Sequence, residues 1–456
     1  MSFPNPQFTL DNQNGDKILL EYLKNSSNFT FLSPRAIKKI SSLDIDLRKE
    51  RVLELWPLVI TDALRTLKLN DLRESPKGFE EKAKTFFDET SLGVVELEKV
   101  LTGFSEFEGM MYGASPERYR GHMIHSFRVW VIGHGLLKSR LGGALEHGAK
   151  LEREITQTEW ECMWAIVALC HDIGYPLSQI ERVNNRAREA LRNQGLLPVG
   201  DLRFTFSPQM QPFHDTMIRL MASTPVLLPK TLRLNIDKSK SAGKNGNSEK
   251  EERKYVTHLQ NKYYLKLLKS FDDLEHGVVS SLLMSKALVY FLESDLCHDF
   301  WCPLTANDAR QFLIRREILR AIASHTCQDI YHLRFNTLSF LLYMADEIQC
   351  WGRPTLVKLQ EVPAGIMKGR VSVDKFSDTE IQITITTGDE GWTEKDVRDW
   401  VGKLRRMLRL AVGTPELKKS KFRFEVKNEK GDKCYLELKN GQLEVPTYIR
   451  STNEGG

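Results

Sequence analysis

Hydrophobic residues in the first 350 positions recur mostly at helical spacing. In the N-terminal part, the leucines and valines of KILLEYLKN and ERVLELWPLVITDALRTL recur every three or four residues, the period of an amphipathic helix. Longer runs of this kind predict five helices in the middle of the chain, at 122–141, 158–170, 273–291, 310–324 and 335–351. The pattern predicts a mainly α protein, with a helical N-terminal region at 1–100 and a helical core at 101–365.

The pattern changes after Pro354. Four short segments, GRVSV, EIQITITT, FRFEVKN and CYLELKN, alternate apolar and polar residues and are separated by turn sequences such as TTGDEG and NEKGDK, which predicts β-strands. One predicted helix, 393–412, interrupts them, so we expect a small α+β domain at 366–456. Within the core, the stretch 237–255 has almost no apolar residue, which is typical of a mobile surface insertion.

Composition excludes several classes of protein. With 456 residues, 41% of them hydrophobic and 27% charged, the chain can bury a large core, so disorder is excluded as its main state. A net charge of +5 is too balanced to indicate a nucleic-acid polymer as ligand. Seven cysteines without a CxxC pair favour buried thiols, and neither a secretory signal nor an uninterrupted membrane span is visible. We therefore expect a cytoplasmic protein that binds neither a membrane nor a nucleic-acid polymer.

Two aspartates follow strongly apolar helical sequence. His171 and Asp172 stand at the end of the apolar run in MWAIVALCHDIGYPL, and Asp346 follows the inner face of the helix in FLLYMADEIQCW. Burying an ionised carboxylate without a partner costs several kcal/mol, so each aspartate needs a cation. A metal ion shared by both segments would satisfy both carboxylates.

Three further histidines lie in comparable surroundings. His125 is part of the amphipathic helix HMIHSFRVWVIG, His276 opens EHGVVSSLLMSKALVYF, and His325 closes EILRAIASHT. Imidazole and carboxylate ligands together suit Mn, Fe, Co, Ni or Zn, and an all-oxygen Mg site less well. Four histidines and two aspartates exceed what one catalytic metal needs, so among one or two divalent metal ions, two are the economical interpretation.

The order of these residues resembles that of the HD superfamily of metal-dependent phosphohydrolases. Five segments look like motifs of that family and together span about half of the chain: HSFRV, CHDIGYP, LEHGVVSS, AIASHT and LLYMADEIQ. A His-Asp dipeptide alone is weak evidence, because FHDT and CHDF contain it as well. The resemblance implies an HD-domain helical bundle with His125, His171, Asp172 and Asp346 around one metal. Its two-metal branch adds His276 and His325, with Asp172 bridging.

The same resemblance implies hydrolysis of a nucleotide by attack of a metal-bound hydroxide on phosphorus. We expect Asp172, His276 and His325 to take part in catalysis. The substrate class stays open between a (deoxy)nucleoside triphosphate and a dinucleotide or cyclic-nucleotide messenger. The regions on either side of the core suggest a nucleotide effector and a homo-oligomer, as would fit regulated nucleotide depletion in antiphage defence.

Four residues are candidate substrate contacts. Arg353 falls where the diadenosine-tetraphosphate branch of the family places an arginine, and Arg128 lies close to the ligand motifs; arginine suits bidentate contact with phosphate. Tyr175 stands where deoxynucleotide triphosphohydrolases carry a histidine, and either binds a sugar or base or serves in packing. His122, three residues before His125, either supports a ligand, contacts substrate or lies at the surface.

Two rival hypotheses remain. A few HD proteins with the same six ligands hold a di-iron centre and are oxygenases, and the order of residues does not distinguish this reaction from phosphoester hydrolysis. A non-catalytic nucleotide sensor is the other alternative. The complete set of six predicted ligands argues against the sensor, because a site that has lost activity usually loses at least one of them.

Overall fold

The structure of the chain is a computed structural model, and its description covers the chain except for several segments. The described residues are 8–10, 14–44, 49–71, 92–111, 122–139, 145–178, 188, 192–195, 207–229, 254–292, 303–349, 370–377, 379–387, 393, 397–398, 401–402, 404, 409–444 and 447–450. Three predictions fall wholly or largely outside them: the substrate contact Arg353, the insertion at 237–255 apart from its last two residues, and most of the helix at 393–412.

Helices make up most of the described chain, as the periodicity predicts. They are α1 (Gly15–Lys24), α2 (Pro34–Ser41), α3 (Lys49–Asp71), α4 (Val94–Met111), α5 (His122–Ser139), α6 (Gln157–Cys170), α7 (Gln211–Ala222), α8 (Asn261–Asp272), α9 (His276–Ala287), α10 (Val289–Leu292), α11 (Ala306–Ser324) and α12 (Leu338–Ile348). The predicted helix at 273–291 is divided between α9 and α10. No described helix combines the length and the apolar character that crossing a bilayer requires.

Helix α6 is the centre of the helical part. All of its residues from Glu159 to Cys170 are buried, and α3, α5 and α11 pack around it. A helix that is apolar on every side must be enclosed by other elements, which explains this position. Two buried tryptophans donate across the packing: Trp164 to the carbonyl of Trp130 on α5, at 2.8 Å, and Trp56 to that of Leu169, at 3.0 Å. The C-terminal end of α6 therefore opens into the interior of the bundle.

Hydrogen bonds of the capping-box type mark where two long helices begin. At α6, the Thr156 hydroxyl accepts the backbone N–H of Glu159, whose carboxylate accepts the N–H of Thr156. At α11, Thr305 and Asp308 make the same reciprocal pair. Each pair satisfies two N–H groups that have no partner inside the helix. The sequence thus defines the start of α6 and α11, two of the helices whose ends carry predicted ligands.

Most of the described strands belong to one sheet. They are β1 (Phe8–Leu10), β4 (Arg370–Phe376), β5 (Glu380–Thr386), β6 (Lys421–Lys427), β7 (Lys433–Lys439), β8 (Gln442–Leu443) and β9 (Thr447–Ile449). Neighbouring strands follow the order β1-β4-β5-β6-β7-β8, and β9 also pairs with β7. All described pairings are antiparallel except that of β5 with β6. The four predicted strands are confirmed as β4 to β7, because alternate side chains are buried as the pattern requires.

Two strand pairings lack a counterpart in the sequence pattern. Strand β1, near the start of the chain, pairs with β4 in the register Phe8↔Val373 and Leu10↔Val371. A separate hairpin joins β2 (Ser223–Leu227) to β3 (Tyr255–Leu259). Tyr255, the last residue of the predicted insertion, is thus a buried strand residue. The first pairing connects the N-terminal region to the C-terminal sheet.

Candidate metal centre

Six predicted metal ligands lie at one place in the helical part, supplied by four helix ends and one helix interior. They are His125 on α5, His171 and Asp172 just after α6, His276 at the first position of α9, His325 just after α11, and Asp346 in the last turn of α12. A helix end is a suitable position for a metal ligand, because a side chain there can face away from the apolar packing without interrupting it. The packing of α6, α9, α11 and α12 brings these ends together.

The carboxylate of Asp172 is the centre of the cluster. Its Oδ1 lies 3.3 Å from Nε2 of His276 and 3.7 Å from Nε2 of His325. Its Oδ2 lies 3.4 Å from Nε2 of His171 and 3.6 Å from Nε2 of His125. Each carboxylate oxygen therefore faces a different pair of imidazoles, the arrangement that a bridging carboxylate would have.

Two further short distances lie within the cluster, which contains two overlapping groups of candidate ligands. Nε2 of His125 lies 3.0 Å from Oδ1 of Asp346, and Nε2 of His325 lies 3.2 Å from Nε2 of His276. The two groups are His125 with His171 and Asp346, and His171 with Asp172 and His325. Within each group, the candidate ligand atoms all lie within 4.8 Å of one another.

Three of the imidazoles are oriented by a hydrogen bond on the side away from the cluster. In each case Nδ1 donates to a carbonyl oxygen, which leaves the Nε2 lone pair directed at the other ligands. The pairs are His125 with the Gln349 side chain (2.6 Å), His171 with the backbone of Ala168 (2.8 Å), and His325 with the backbone of Ile322 (2.6 Å). Sequence reasoning missed Gln349, although it follows Asp346 by three residues.

The electrostatics of the cluster favour an ionised Asp172. Burial raises the pKa of the Asp172 carboxyl, but His171, His276 and His325 more than offset this, and the pKa lies well below its usual range. Burial lowers the pKa of His171, yet the charges of Asp172 and Asp346 leave it raised. Burial lowers the pKa of His325. The pocket thus attracts positive charge, which is the property that a cation site needs.

Two glycines allow the ligand-bearing segments to approach one another. A Cβ atom on Gly174, two residues after Asp172, would lie 2.8 Å from the carbonyl oxygen of His276. A Cβ atom on Gly277 would lie 2.7 Å from the carbonyl oxygen of Ile322 on α11. Neither position has room for a side chain, so the glycines in HDIG and EHG serve the packing around the ligands.

Two of the predicted substrate contacts border the cluster. The rings of His122 and Tyr175 lie 4.1 Å apart, and the ring of Tyr175 lies 5.2 Å from that of His276. His122 is buried and Tyr175 is half-buried, so His122 does not lie at the surface. Together they form an aromatic wall on the His276 side.

The structure gives Arg128 a partner inside the protein. Its Nε and Nη2 atoms donate to the two carboxylate oxygens of Asp16 on α1, at 2.8 and 2.7 Å. This bidentate pair fastens α1 to α5. A contact between Arg128 and substrate phosphate stays a prediction, as does that of Arg353, which lies outside the described residues.

The second described His-Asp dipeptide occupies a different environment. His214 and Asp215 lie on α7, where Asp215 accepts hydrogen bonds from Arg219, at 2.7 Å, and from the Tyr264 hydroxyl, at 2.5 Å. Burial lowers the pKa of His214, which packs against Phe271. The dipeptide alone therefore does not make a centre; the converging helix ends do.

Comparisons of the chain with protein-family models, with curated proteins and with solved structures found no match. What the structure shows is a buried group of histidines and aspartates that could hold a divalent metal ion. Membership of the HD superfamily stays a prediction from the order of the motifs. The residues and their geometry are the basis for any functional assignment.

Proposed function

We propose that this chain is a divalent-metal-dependent phosphohydrolase of the HD type that acts on a nucleotide. The observation that carries the proposal is the convergence of four imidazole Nε2 atoms on the two oxygens of Asp172, with Asp346 beside His125. The order of the motifs supports the same assignment. Metal-dependent hydrolysis of phosphoesters is a reaction that such a nitrogen and oxygen site can perform.

The residues present fit a metal ion. The distances from the Asp172 oxygens to the four imidazole Nε2 atoms, 3.3 to 3.7 Å, exceed those of good hydrogen bonds. These groups therefore surround a common space without forming strong hydrogen bonds to one another. Nε2 of His171 is buried and makes no hydrogen bond within the described part of the chain. A buried nitrogen of this kind is costly unless something binds it. The mixed imidazole and carboxylate set suits Mn, Fe, Co, Ni or Zn.

A bound divalent ion would lower the pKa of a water molecule and offset charge on phosphoryl oxygens. The side chains of the cluster would hold and orient that ion. Asp172, ionised in its pocket, would hold positive charge at the centre, and His276 and His325 would line the side nearest the aromatic wall. The Nδ1 hydrogen bonds keep the imidazoles in one tautomer, which avoids reorganisation during the reaction. Burial of the cluster limits its exposure to bulk water.

The wall formed by His122 and Tyr175 supports the proposal that the substrate is a nucleotide. Aromatic side chains next to a phosphate-processing centre offer a stacking surface for a base or sugar. We propose a (deoxy)nucleoside triphosphate or a dinucleotide or cyclic-nucleotide messenger as substrate. Control by a nucleotide effector, assembly of a homo-oligomer and a role in antiphage defence are further parts of this proposal, supported by the regions that surround the core.

The test is hydrolysis by the purified chain, stripped of metal and reloaded with Mn, Mg, Co or Fe. Ribo- and deoxynucleoside triphosphates, cyclic nucleotides and dinucleoside polyphosphates are supplied one at a time, and the products are separated by chromatography. The variant Asp172→Asn keeps the size of the side chain but removes its charge, so we expect loss of metal binding and at least a ~100-fold loss of hydrolysis. Asp215→Asn, in the second His-Asp dipeptide, should keep both.

Three results would contradict the proposal. Full hydrolysis by Asp172→Asn would show that another site does the chemistry. Oxygen consumption by the iron-loaded protein, without release of phosphate, pyrophosphate or triphosphate from any nucleotide, would indicate the di-iron oxygenase. Nucleotide binding with every metal and no product would indicate the sensor.

A further inference from the structure

A short segment at 409–411 connects the C-terminal sheet to the helical part. The backbone N–H of His332 donates to the carbonyl of Arg409, and the N–H of Ala411 donates to the carbonyl of His332 at 2.9 Å. On the other side, the N–H of Gly413 donates to the carbonyl of Gly441, in the turn after β7, at 2.7 Å. The backbone of Arg409 is thus bonded to the helical part, and four residues later the chain is bonded to the sheet.

The guanidinium of Arg409 lies at the C-terminal end of α11. Nη2 donates to the carbonyl oxygen of His325 at 2.6 Å, and Nη1 donates to the carbonyl oxygen of Cys327. The last carbonyls of a helix have no partner inside it, and a positive charge there also interacts favourably with the helix dipole. Arg409 therefore donates to the carbonyl of His325, at the C-cap of α11, and to that of Cys327 in the turn that follows, which also accepts the N–H of Ile330 at 3.2 Å.

Arg409 also adjoins α12, a second helix that presents a candidate ligand. Its guanidinium lies 5.1 Å from the ring centroid of Tyr343, which precedes Asp346 by one turn on α12. One side chain of the C-terminal region thus contacts two ligand-bearing elements, the end of α11 and α12.

The chemistry of this contact requires an arginine. Two carbonyl oxygens are met by two N–H groups of one rigid planar fork, whereas a lysine would offer a single flexible donor group. An apolar side chain would remove the donor to the carbonyl of His325 and leave that of Cys327 with only the N–H of Ile330, at the cost of weaker polar contacts at the end of α11. The backbone at His325 would then lose what holds it in place.

We propose that Arg409 is a positioning residue through which the C-terminal region fixes His325 in the metal centre. The inference rests on the proposed function, because it takes His325 as a metal ligand. The ring of His325 is oriented from inside its own helix by Ile322, and its backbone is held from outside by Arg409. The C-terminal region is then a part of the metal centre's framework.

The test compares Co(II) binding by the full-length wild type with that of Arg409→Met, Arg409→Lys and the control Arg423→Met. Arg423, on β6, like Arg409 lies close to a tyrosine ring, 4.8 Å from that of Tyr435, but it pairs with Glu425 at 2.6 Å and is far in the sequence from any candidate ligand. Co(II) gives a visible absorption spectrum that reports ligand geometry. We expect about 10- to 100-fold weaker binding and an altered spectrum for Arg409→Met, a smaller loss for Arg409→Lys, and none for Arg423→Met.

Millimolar guanidinium ion should restore part of the affinity of Arg409→Met, which a merely unstable protein would not show. Wild-type affinity and spectrum in Arg409→Met would overturn the inference. If that variant does not fold, wild-type binding by Arg409→Lys would overturn it equally. A wild type that binds neither Co(II) nor Mn(II) would overturn the proposed function and this inference together, whereas metal binding by the wild type with unaffected variants would overturn the inference alone.

Discussion

At Gly277 the start of α9 lies against the end of α11 with no room for a side chain. A Cβ atom there would lie 2.6 Å from the hydroxyl of Thr326, 2.7 Å from the carbonyl oxygen of Ile322 and 3.0 Å from that of Ala323. Two of these three are backbone atoms, which cannot move aside cheaply. Because the neighbouring His276 and His325 face each other across 3.2 Å, this close contact helps to set the spacing between two candidate ligands.

We therefore expect Gly277→Ala to separate α9 from α11. Overpacking of this kind typically costs about 1 to 3 kcal/mol of stability, and we expect Mn(II) affinity to fall at least ~10-fold. Urea unfolding and isothermal titration with Mn(II) measure the two effects.

Gly103 in α4 is the matched control, because it is exposed and a Cβ atom there meets nothing within 4 Å. Gly103→Ala should raise the free energy of unfolding by about 0.5 to 1 kcal/mol and leave metal affinity unchanged. Unchanged Mn(II) affinity in Gly277→Ala would contradict the role assigned to this glycine.

At the scale of elements, a buried ion pair joins the start of α6 to α11. The guanidinium of Arg310 donates to the carboxylate of Glu159, and the two residues are 1% and 0% exposed. Burial raises the pKa of Glu159, but Arg310 and the capping contacts of Thr156 outweigh it, so the pKa is lowered overall. Both helices end in candidate metal ligands, so this pair at the other end of α6 helps to set the relative position of those ends.

Removing the cation should be costly at neutral pH. Arg310→Met leaves a buried carboxylate without its main partner, and we expect a loss of about 3 to 5 kcal/mol in the free energy of unfolding near pH 7. Because the folded-state pKa of Glu159 is lowered, its stabilising effect is present above the unfolded-state pKa of about 4.3 and is lost as pH falls through the folded-state value. The difference between wild type and variant should therefore shrink as pH falls toward about 3.

Urea unfolding over a pH series measures this difference. Arg219→Met is the control: it removes the partner of Asp215 in a pair of which both members are more than one-third exposed, with side chains 41% and 44% exposed. Exposed pairs contribute little, and we expect a change below about 1 kcal/mol. A difference between wild type and Arg310→Met that does not vary with pH would show that the Glu159 charge is not the cause.

At the scale of the whole molecule, the two ends of the chain meet in one sheet. Strand β1 covers the edge of β4, and Leu10 is fully buried there, while Arg409 attaches the same C-terminal region to the end of α11. The candidate metal centre is therefore connected, through Arg409, to the C-terminal region whose sheet also includes β1. A disturbance of the sheet has a physical route to His325.

The contribution of strand β1 to the stability of the sheet can be tested at Leu10. Leu10→Ala removes a side chain that is 0% exposed, and core truncations of this kind typically cost about 2 to 5 kcal/mol. We expect the amides of β4 to exchange with deuterium faster, since β1 supplies one side of their pairing. Ile449→Ala on β9, where the side chain is 40% exposed, should change little. Unchanged protection of β4 in Leu10→Ala would show that β1 does not stabilise the sheet.

The sequence predicted elements best where a repeating pattern is long. Helices α5, α6, α11 and α12 each contain a long run rich in apolar residues, and strands β4 to β7 alternate apolar and polar residues. Strand β1 is three residues long, which is too short to show a period, and its partner lies more than 350 positions away. The pairing of Arg128 with Asp16 is a long-range contact of the same kind, with no local signal.

The sequence by itself predicted the helical core and the four strands from long local patterns, and it predicted the residues that meet at Asp172 from their apolar surroundings together with the resemblance to the HD motifs. The two aspartates stood out because a carboxylate at the end of an apolar helix needs a cation wherever the helix lies. Only the tertiary structure decided which groups orient those ligands: Gln349 behind His125, the close contact at Gly277 and the fork of Arg409 on His325. Those contacts depend on distances between segments far apart in the chain, and no local pattern of residues encodes such distances.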